Sequence, residues 1–518
     1  MEQDKILLLE KGKRGLLRMI FGRTGIIIGL LAVQVLFLLA GLQWLASLFP
    51  YLWALSMVVA VGVVVYLIGS DDNPAFKLSW MLLMLVVPIF GILLYLYVKT
   101  DLGHRAMIRR FDEIQKQTAP LAQAPQAIPP EEVPPAMEGV ARYLGSCGFS
   151  AFQNTETQYF PLGELAFAEM LKQLKQAEQF IFLEYFIIAE DSMWGRILEI
   201  LAEKAAAGVE VRVLYDGTCA VSRLPYGYPK KLQRLGIQCR MFAPLRPFVS
   251  THYNYRDHRK LMIIDGKVGF TGGINLTDEY INVIHPYGHW KDNGLLLRGE
   301  AVRSMSLMFL QMWNLHAEKI TEDYSRYLSQ TVSVPGQGWV IPYGDSPLDT
   351  DSVGELVYMD IINRAQRYVH IMTPYLILDN ELTTALCFAA QRGVDVKIIM
   401  PHIPDAEIPF ALAHTYYRRL LDGGVQIFEY VPGYVHAKVF VSDDTRAVVG
   451  TINLDYRSLY HHFECAVYHH QTPVVAQVEQ DIQDTLTKSI PADRALLKQD
   501  SLLRKLTGAI TRLIAPLM

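Results

Sequence analysis

Two things are scarce in this chain of 518 residues: paired cysteines and runs of like charge. Its five cysteines, Cys147, Cys219, Cys239, Cys387 and Cys465, are scattered without a CxxC pair, so neither a zinc site nor a disulfide framework is signalled. They read as free, mostly buried thiols. Lysine and arginine number 48 against 52 aspartates and glutamates, a net charge of −4. Without long basic runs, the composition does not support a protein that coats nucleic acid through its phosphates. Charged residues make up only 19 % of the chain and apolar ones 51 %, a balance that leans towards membrane. The length allows about three domains with sizeable cores.

What is present, twice, is one stretch of text. Residues 258–275 read HRKLMIIDGKVGFTGGIN and residues 436–453 read HAKVFVSDDTRAVVGTIN. They align without a gap and repeat His, Lys, Asp, Gly and Asn at identical spacing: His258, Lys260, Asp265, Gly272 and Asn275, then His436, Lys438, Asp443, Gly450 and Asn453. The flanking text repeats too. GELAFAEMLKQLKQA, QFIFLEYFII, ILEILAEKAAAG and VEVRVLYD are replayed as GELVYMDIINRAQ, RYVHIMTPYLI, ELTTALCFAAQRG and VDVKIIMP. Helical spacing of apolar residues alternates here with strand-like runs, which predicts an α/β sandwich built from two repeated halves.

In an extended strand residues i and i+2 face the same side, roughly 6 to 7 Å apart. His258 and Lys260 therefore face one site, as do His436 and Lys438, and each return strand brings Asn275 or Asn453 near. An imidazole, an ammonium and an amide converging twice suit a phosphodiester that passes through a negatively charged transition state. That inventory calls for no metal and no cofactor. Asp265 and Asp443 belong to the motif and stand among its candidate catalytic residues; their place at strand-to-strand turns also suits backbone hydrogen bonding, the favoured role. His285 and His289 lie in a loop with Pro286 and Gly288, a poor setting for a metal pair. His461, His462, His469 and His470 read as polar residues flanking a strand.

Three apolar runs precede the repeat, Thr24 to Phe49, Tyr51 to Gly69 and Leu78 to Val98, each near the ~20 residues that cross a bilayer. Residues 1–110 are thus expected to be a basic N-terminus with membrane spans. Basic residues flank both ends of the set, so either three segments cross or one is paired without crossing. Residues 111–136, rich in Gln, Ala and Pro, read as a tether. The two halves are expected at 137–330 and 331–490. An amphipathic helix at 491–518 lies at a membrane interface or packs on the domain.

The doubled H-x-K-x4-D-x6-G-x2-N pattern resembles the phospholipase D superfamily over about Phe160 to Tyr468. Within it, RDHRKLMIIDGKVGFTGGINLTDEY, HWKDNGLLLRG and GTINLDYRSLYHHFE resemble the bacterial cardiolipin synthases nearly end to end. Where the superfamily often has Ser after the motif glycine, this chain has Gly273 and Thr451. The resemblance implies two phospholipase D-like halves sharing one active site, no cofactor, and a multi-pass protein of the bacterial cell membrane with phosphatidylglycerol as substrate. It implies that one histidine attacks phosphorus and holds a phosphatidyl group while the other serves as acid and then base. It also places a carboxylate behind each histidine, at positions matched by Asp292 and Glu464. Arg256 and Arg259 beside His258 disfavour its imidazolium, and superfamily precedent agrees, so His258 is expected to be the nucleophile and His436 the acid and base. The motif alone also suits a phosphodiesterase that hydrolyses phospholipid or nucleic acid.

Overall fold

The structure, a computed structural model, describes residues 32–36, 39, 49–71, 73–99, 102–225, 227–244, 255–315, 317, 323–349 and 351–517. The basic N-terminus and most of the first apolar run lie outside the described residues. The first half contributes strands β1 (Thr155–Phe160), β2 (Phe180–Tyr185), β3 (Glu210–Asp216), β4 (Gln238–Phe242), β5 (Arg256–Asp257), β6 (Lys260–Ile264), β7 (Val268–Gly272), β8 (His289–Lys291) and β9 (Gly294–Gly299). The second contributes β10 (Trp339–Asp345), β11 (Tyr368–Met372), β12 (Asp395–Pro401), β13 (Gln426–Tyr430), β14 (Gly433–Val435), β15 (Val439–Ser442), β16 (Arg446–Gly450), β17 (His462–His470) and β18 (Ser489–Pro491).

The repeat is topological as well as textual. The first sheet runs β1-β9-β7-β6-β2-β3-β4 and the second runs β10-β17-β16-β15-β11-β12-β13, with β18 added at its edge. In both, a parallel trio fed by helical crossovers adjoins an antiparallel set, and β6–β7 and β15–β16 are the hairpins that carry the doubled motif. Strand β2 shows why sheets of this kind read as continuous apolar runs. Phe182 faces a core between the two sheets, while Ile181 and Leu183 face the helices outside.

The described N-terminal helices are α1 (Phe49–Gly69), α2 (Pro74–Val86), α3 (Pro88–Lys99) and α4 (Leu102–Ala122). The expected third span is broken at Pro88 into α2 and α3, which fold against each other so closely that a Cβ on Gly91 would lie 2.8 Å from the Met84 backbone. Pro88 lacks the N–H that a continuous helix requires there, and helices of 13 and 12 residues are each too short for a ~30 Å layer. Among the described residues no helix is long and apolar enough to cross a membrane; the fully described run of α1 is Trp53 to Gly69.

The expected tether is also shorter than its composition suggested. Helix α4 extends to Ala122, because Met107, Phe111, Ile114, Thr118 and Leu121 fall on one stripe and pack into the core between the sheets, where Ile114 is fully buried. The remaining stretch is itself pinned, with Ile128 bridged to Ala151.

The halves are then interlocked by exchanged strands. Strand β5 pairs in parallel with β17 of the second half, and β14 pairs in parallel with β8 of the first. Lys291 at the end of β8 is bonded at 2.7 Å to the buried Asp481 on helix α5 (Pro473–Leu486), which also accepts from Tyr159 at 2.7 Å.

Candidate active site

Strand exchange builds the site. The chain enters each motif alongside the other half, so the His258 amide donates to Phe463 O at 2.9 Å and the His436 amide to Lys291 O at 2.7 Å. The next residues along those partners are the two carboxylates. Glu464 Oε1 and Oε2 lie 2.8 and 3.0 Å from His258 Nδ1, and Asp292 Oδ2 lies 2.7 Å from His436 Nδ1. Each histidine is therefore oriented by an acid from the opposite half, and all four groups are buried. A carboxylate on Nδ1 fixes the proton there and leaves the Nε2 lone pair for chemistry.

The carboxylates also explain the two residues after the motif glycines. A Cβ at Gly273 would run into the Asp292 carboxylate, so only glycine fits. In the second half the matching space holds the Thr451 hydroxyl, which donates to Glu464 Oε2. Glu464 thus has a donor that Asp292 lacks, while Asp292 accepts from the Asn293 amide at 2.8 Å. Thr451 carries the hydroxyl contact of the second half, and no hydroxyl fits in the first.

Burial sets the protonation states. It lowers the His258 imidazole to about 3 against the pull of Glu464, and the His436 imidazole to about 4, with Lys438 pushing the same way. Burial alone would raise the Glu464 and Asp292 carboxyls, but the histidines bonded to them outweigh it and hold both below the usual range. Lys260 and Lys438 are lowered by burial to about 8 and about 7. Each motif histidine is bonded to a carboxylate of the opposite half, which brings the two motifs together, and Lys260 disfavours the charged forms of His436 and Lys438 across that junction. Each lysine spends one of its three donors on the carbonyl of its own motif histidine, Lys260 to His258 O at 2.6 Å and Lys438 to His436 O.

Other expected groups are placed differently. Asp265 and Asp443 do not enter the site. Asp265 accepts three backbone N–H groups, from Glu178, Gln179 and Phe180, each at 2.8 Å. Asp443 accepts from Gln366, Arg367 and Tyr368 at 2.9 to 3.0 Å. They lock the far ends of the motif hairpins to the starts of β2 and β11, and their φ values of 53° and 54° are those of the turn. Asn275 is already engaged: its Oδ1 accepts from the Ile187 amide at 3.0 Å and its Nδ2 donates to the Tyr280 hydroxyl at 2.7 Å. It steadies Tyr280, whose ring meets His436 edge-on at 5.2 Å. Asn453 differs, with a buried Oδ1 that has no hydrogen-bond partner among the described residues. Arg256 pairs with Asp216 at 3.4 Å and Arg259 donates to Glu464 O at 3.0 Å. The cation that disfavours the His258 imidazolium is Lys260.

Residue patterns alone missed the aromatic walls, Phe186 at 4.9 Å from His258 and Trp290 at 5.5 Å from His436. They also missed His462, whose ring lies 5.3 Å from that of His258. Its signal was the H-x-E spacing to Glu464, which puts both side chains on one face of β17.

A family model described as cardiolipin synthase, PLD-like domain, matches residues 170–313 and 358–486, more than half of the chain and both motif-bearing halves. The chain belongs to the cardiolipin synthase family. It is accordingly an enzyme of the phosphatidyltransferase class. A second model, phospholipase D-nuclease N-terminal, matches residues 57–99, which include most of α1 and the α2–α3 hairpin. A cardiolipin synthase of Alkalihalophilus pseudofirmus is 32 % identical over 92 % of this chain and 95 % of its own. An uncharacterised protein of Streptococcus mutans serotype c is 51 % identical over 88 % of this chain and all of its own. Among solved structures, phosphatidylserine synthase of Haemophilus influenzae shares the fold with a TM-score of 0.55 at 15 % identity, covering 71 % of this chain and 94 % of that one.

Proposed function

We propose that this chain joins two phosphatidylglycerols into cardiolipin and glycerol by a double displacement at the shared site. The observation that carries the reading is the pair of buried histidines, each with its Nδ1 held by a carboxylate from the opposite half. His258 Nε2 attacks phosphorus while His436 protonates the departing glycerol oxygen. The phosphatidyl group then rests on His258, and His436 deprotonates the incoming hydroxyl of the second phosphatidylglycerol. Phosphodiester energy is kept across both halves, so no nucleotide is consumed. Lys260 and Lys438, with Asn453, stabilise the charge that develops on the phosphoryl oxygens. The arriving phosphodiester anion raises both imidazoles from their free values.

In this reading His258 is the nucleophile and His436 the acid and base, as the family resemblance implies. Glu464 accepts from the Thr451 hydroxyl and Asp292 from the Asn293 amide, so each carboxylate shares its charge with one further donor.

The substrate is a lipid, and the apolar surface suits a membrane seat. Leu55, Val58, Val61, Val65 and Ile68 of α1 are exposed, as are Leu502, Leu503, Leu506, Ile510 and Leu513 of helix α6 (Leu502–Ile514). Helix α6 packs by its Gly508 face on Ala411, and its Leu513 carbonyl accepts from Ser79 of α2 at 2.9 Å. It is docked on one face and apolar on the other, which supports a seat at a membrane interface. Incubating purified protein with phosphatidylglycerol alone tests the reading. Cardiolipin and glycerol in equal amounts are expected, whereas phosphatidic acid as the sole lipid product would make the chain a hydrolase.

A further inference from the structure

His462 and Glu464 alternate along β17 onto one face, the face that meets His258. His462 is 92 % buried, its complement of an 8 % exposure, and its Nδ1 has no hydrogen-bond partner among the described residues. Glu464 Oε1 is 3.5 Å from it. One donor atom from each of His258, His462 and Glu464 lies within 4.8 Å of the other two. A buried imidazole nitrogen left without a partner costs stability unless something occupies it.

We propose that His258, His462 and Glu464 bind one divalent transition-metal cation of the zinc class, and that the occupied site silences the enzyme. Two imidazoles and one carboxylate form a borderline donor set that suits zinc, cobalt or nickel and disfavours magnesium and calcium, which prefer all-oxygen shells. Ligands about 2.0 to 2.2 Å from a tetrahedral ion stand about 3.3 Å apart, so the side chains must close by at most about 1.5 Å. The fourth position is left to water or a phosphate oxygen. If His258 offers Nε2, the nucleophilic lone pair is taken. If it offers Nδ1, its proton and its bond to Glu464 are lost. Either way the histidine cannot attack phosphorus. The metal is thus an inhibitor of a reaction that does not itself require one.

Binding rests on the geometry; silencing rests on the role given to His258 above, and the two are separable by experiment. Purified full-length protein, stripped of metal, is titrated with Co2+ and followed by its visible absorption. One ion per chain with an intense tetrahedral spectrum, displaced by Zn2+, is expected. His462→Asn should weaken binding at least about tenfold while its metal-free turnover of phosphatidylglycerol stays close to that of the native protein, and Zn2+ that halts the native enzyme should leave the variant working. His462→Gln provides the same comparison if the Asn variant does not fold. No tetrahedral cobalt spectrum, or binding unchanged in both variants, would overturn the site and leave an adventitious ion only. Undiminished turnover with the ion bound would overturn the silencing. A protein inactive on phosphatidylglycerol would still give the cobalt titration, so the site is decided independently of the proposed reaction.

Discussion

Replacing Glu464 by Gln keeps the volume of the side chain and removes its charge at a fully buried position. In the native protein that charge sits 2.8 Å from His258 Nδ1 and also accepts from Thr451. As Nε2 bonds to phosphorus, the ring becomes cationic. A full charge about 4 Å from the carboxylate is stabilised by about 4 kcal/mol at an effective dielectric near 20, which corresponds to roughly a thousandfold in rate. The amide has a second way to fail: turned about, its N–H2 donates to Nδ1 and forces the proton onto Nε2, which abolishes the nucleophile. Glu464→Gln should therefore lower kcat for cardiolipin formation by about three orders of magnitude, with thermal melting used to confirm the fold. Thr451→Val keeps the charge and removes the hydroxyl that donates to Glu464 and accepts from the Cys465 amide; only the first bond, worth about 1 kcal/mol, acts on the carboxylate, so the loss in kcat should stay within about tenfold. A folded Glu464→Gln enzyme that retained more than a tenth of native turnover would refute the role given to the cross-half carboxylate.

The other expectations concern the lysines and the motif aspartates. Lys260→Met and Lys438→Met should each cost roughly 2 to 4 kcal/mol of transition-state stabilisation, seen in kcat more than in KM; a change confined to KM would make the lysine a headgroup binder. Burial lowers both lysines, and the useful form is the cation, so kcat/KM should fall as pH rises through about 7 and about 8; a profile flat to pH 10 would contradict this. Asp265→Asn replaces an acceptor of three backbone N–H groups. It should lower Tm by an amount matching about 1 to 3 kcal/mol while the folded fraction keeps near-native kcat, and a large fall in kcat at unchanged Tm would return the residue to the chemistry.

Much of this was legible in the text because it is local. Strand alternation alone puts His258 with Lys260 and His436 with Lys438, and the helical stripes of both halves carry through to helices such as Ser192–Ala206, where Trp194, Ile197, Leu198 and Leu201 are buried. What was not legible depends on partners distant in sequence. Nothing around β5 announces that it pairs with β17, so the exchange that brings Glu464 to His258 was visible only through family likeness. Gly273 looked like a lost hydroxyl until the Asp292 carboxylate was found in the space a side chain would need. The tether is shorter than its prolines suggest because a 4-3-4-3 stripe, apolar except for Thr118, begins before it at Met107. The break at Pro88, which makes a hairpin of the third apolar run, does not register in mean apolarity.

The central claim is a covalent phosphatidyl group on one histidine, and trapping it is the most direct measurement. Purified enzyme and phosphatidylglycerol are quenched rapidly in base, and the labile phosphoryl adduct is mapped by mass spectrometry. The adduct is expected on His258, absent from His258→Ala and accumulated in a variant of His436 too slow to complete the second half. An adduct on His436 with none on His258 would reverse the roles, and no adduct on either histidine under turnover would contradict the double displacement.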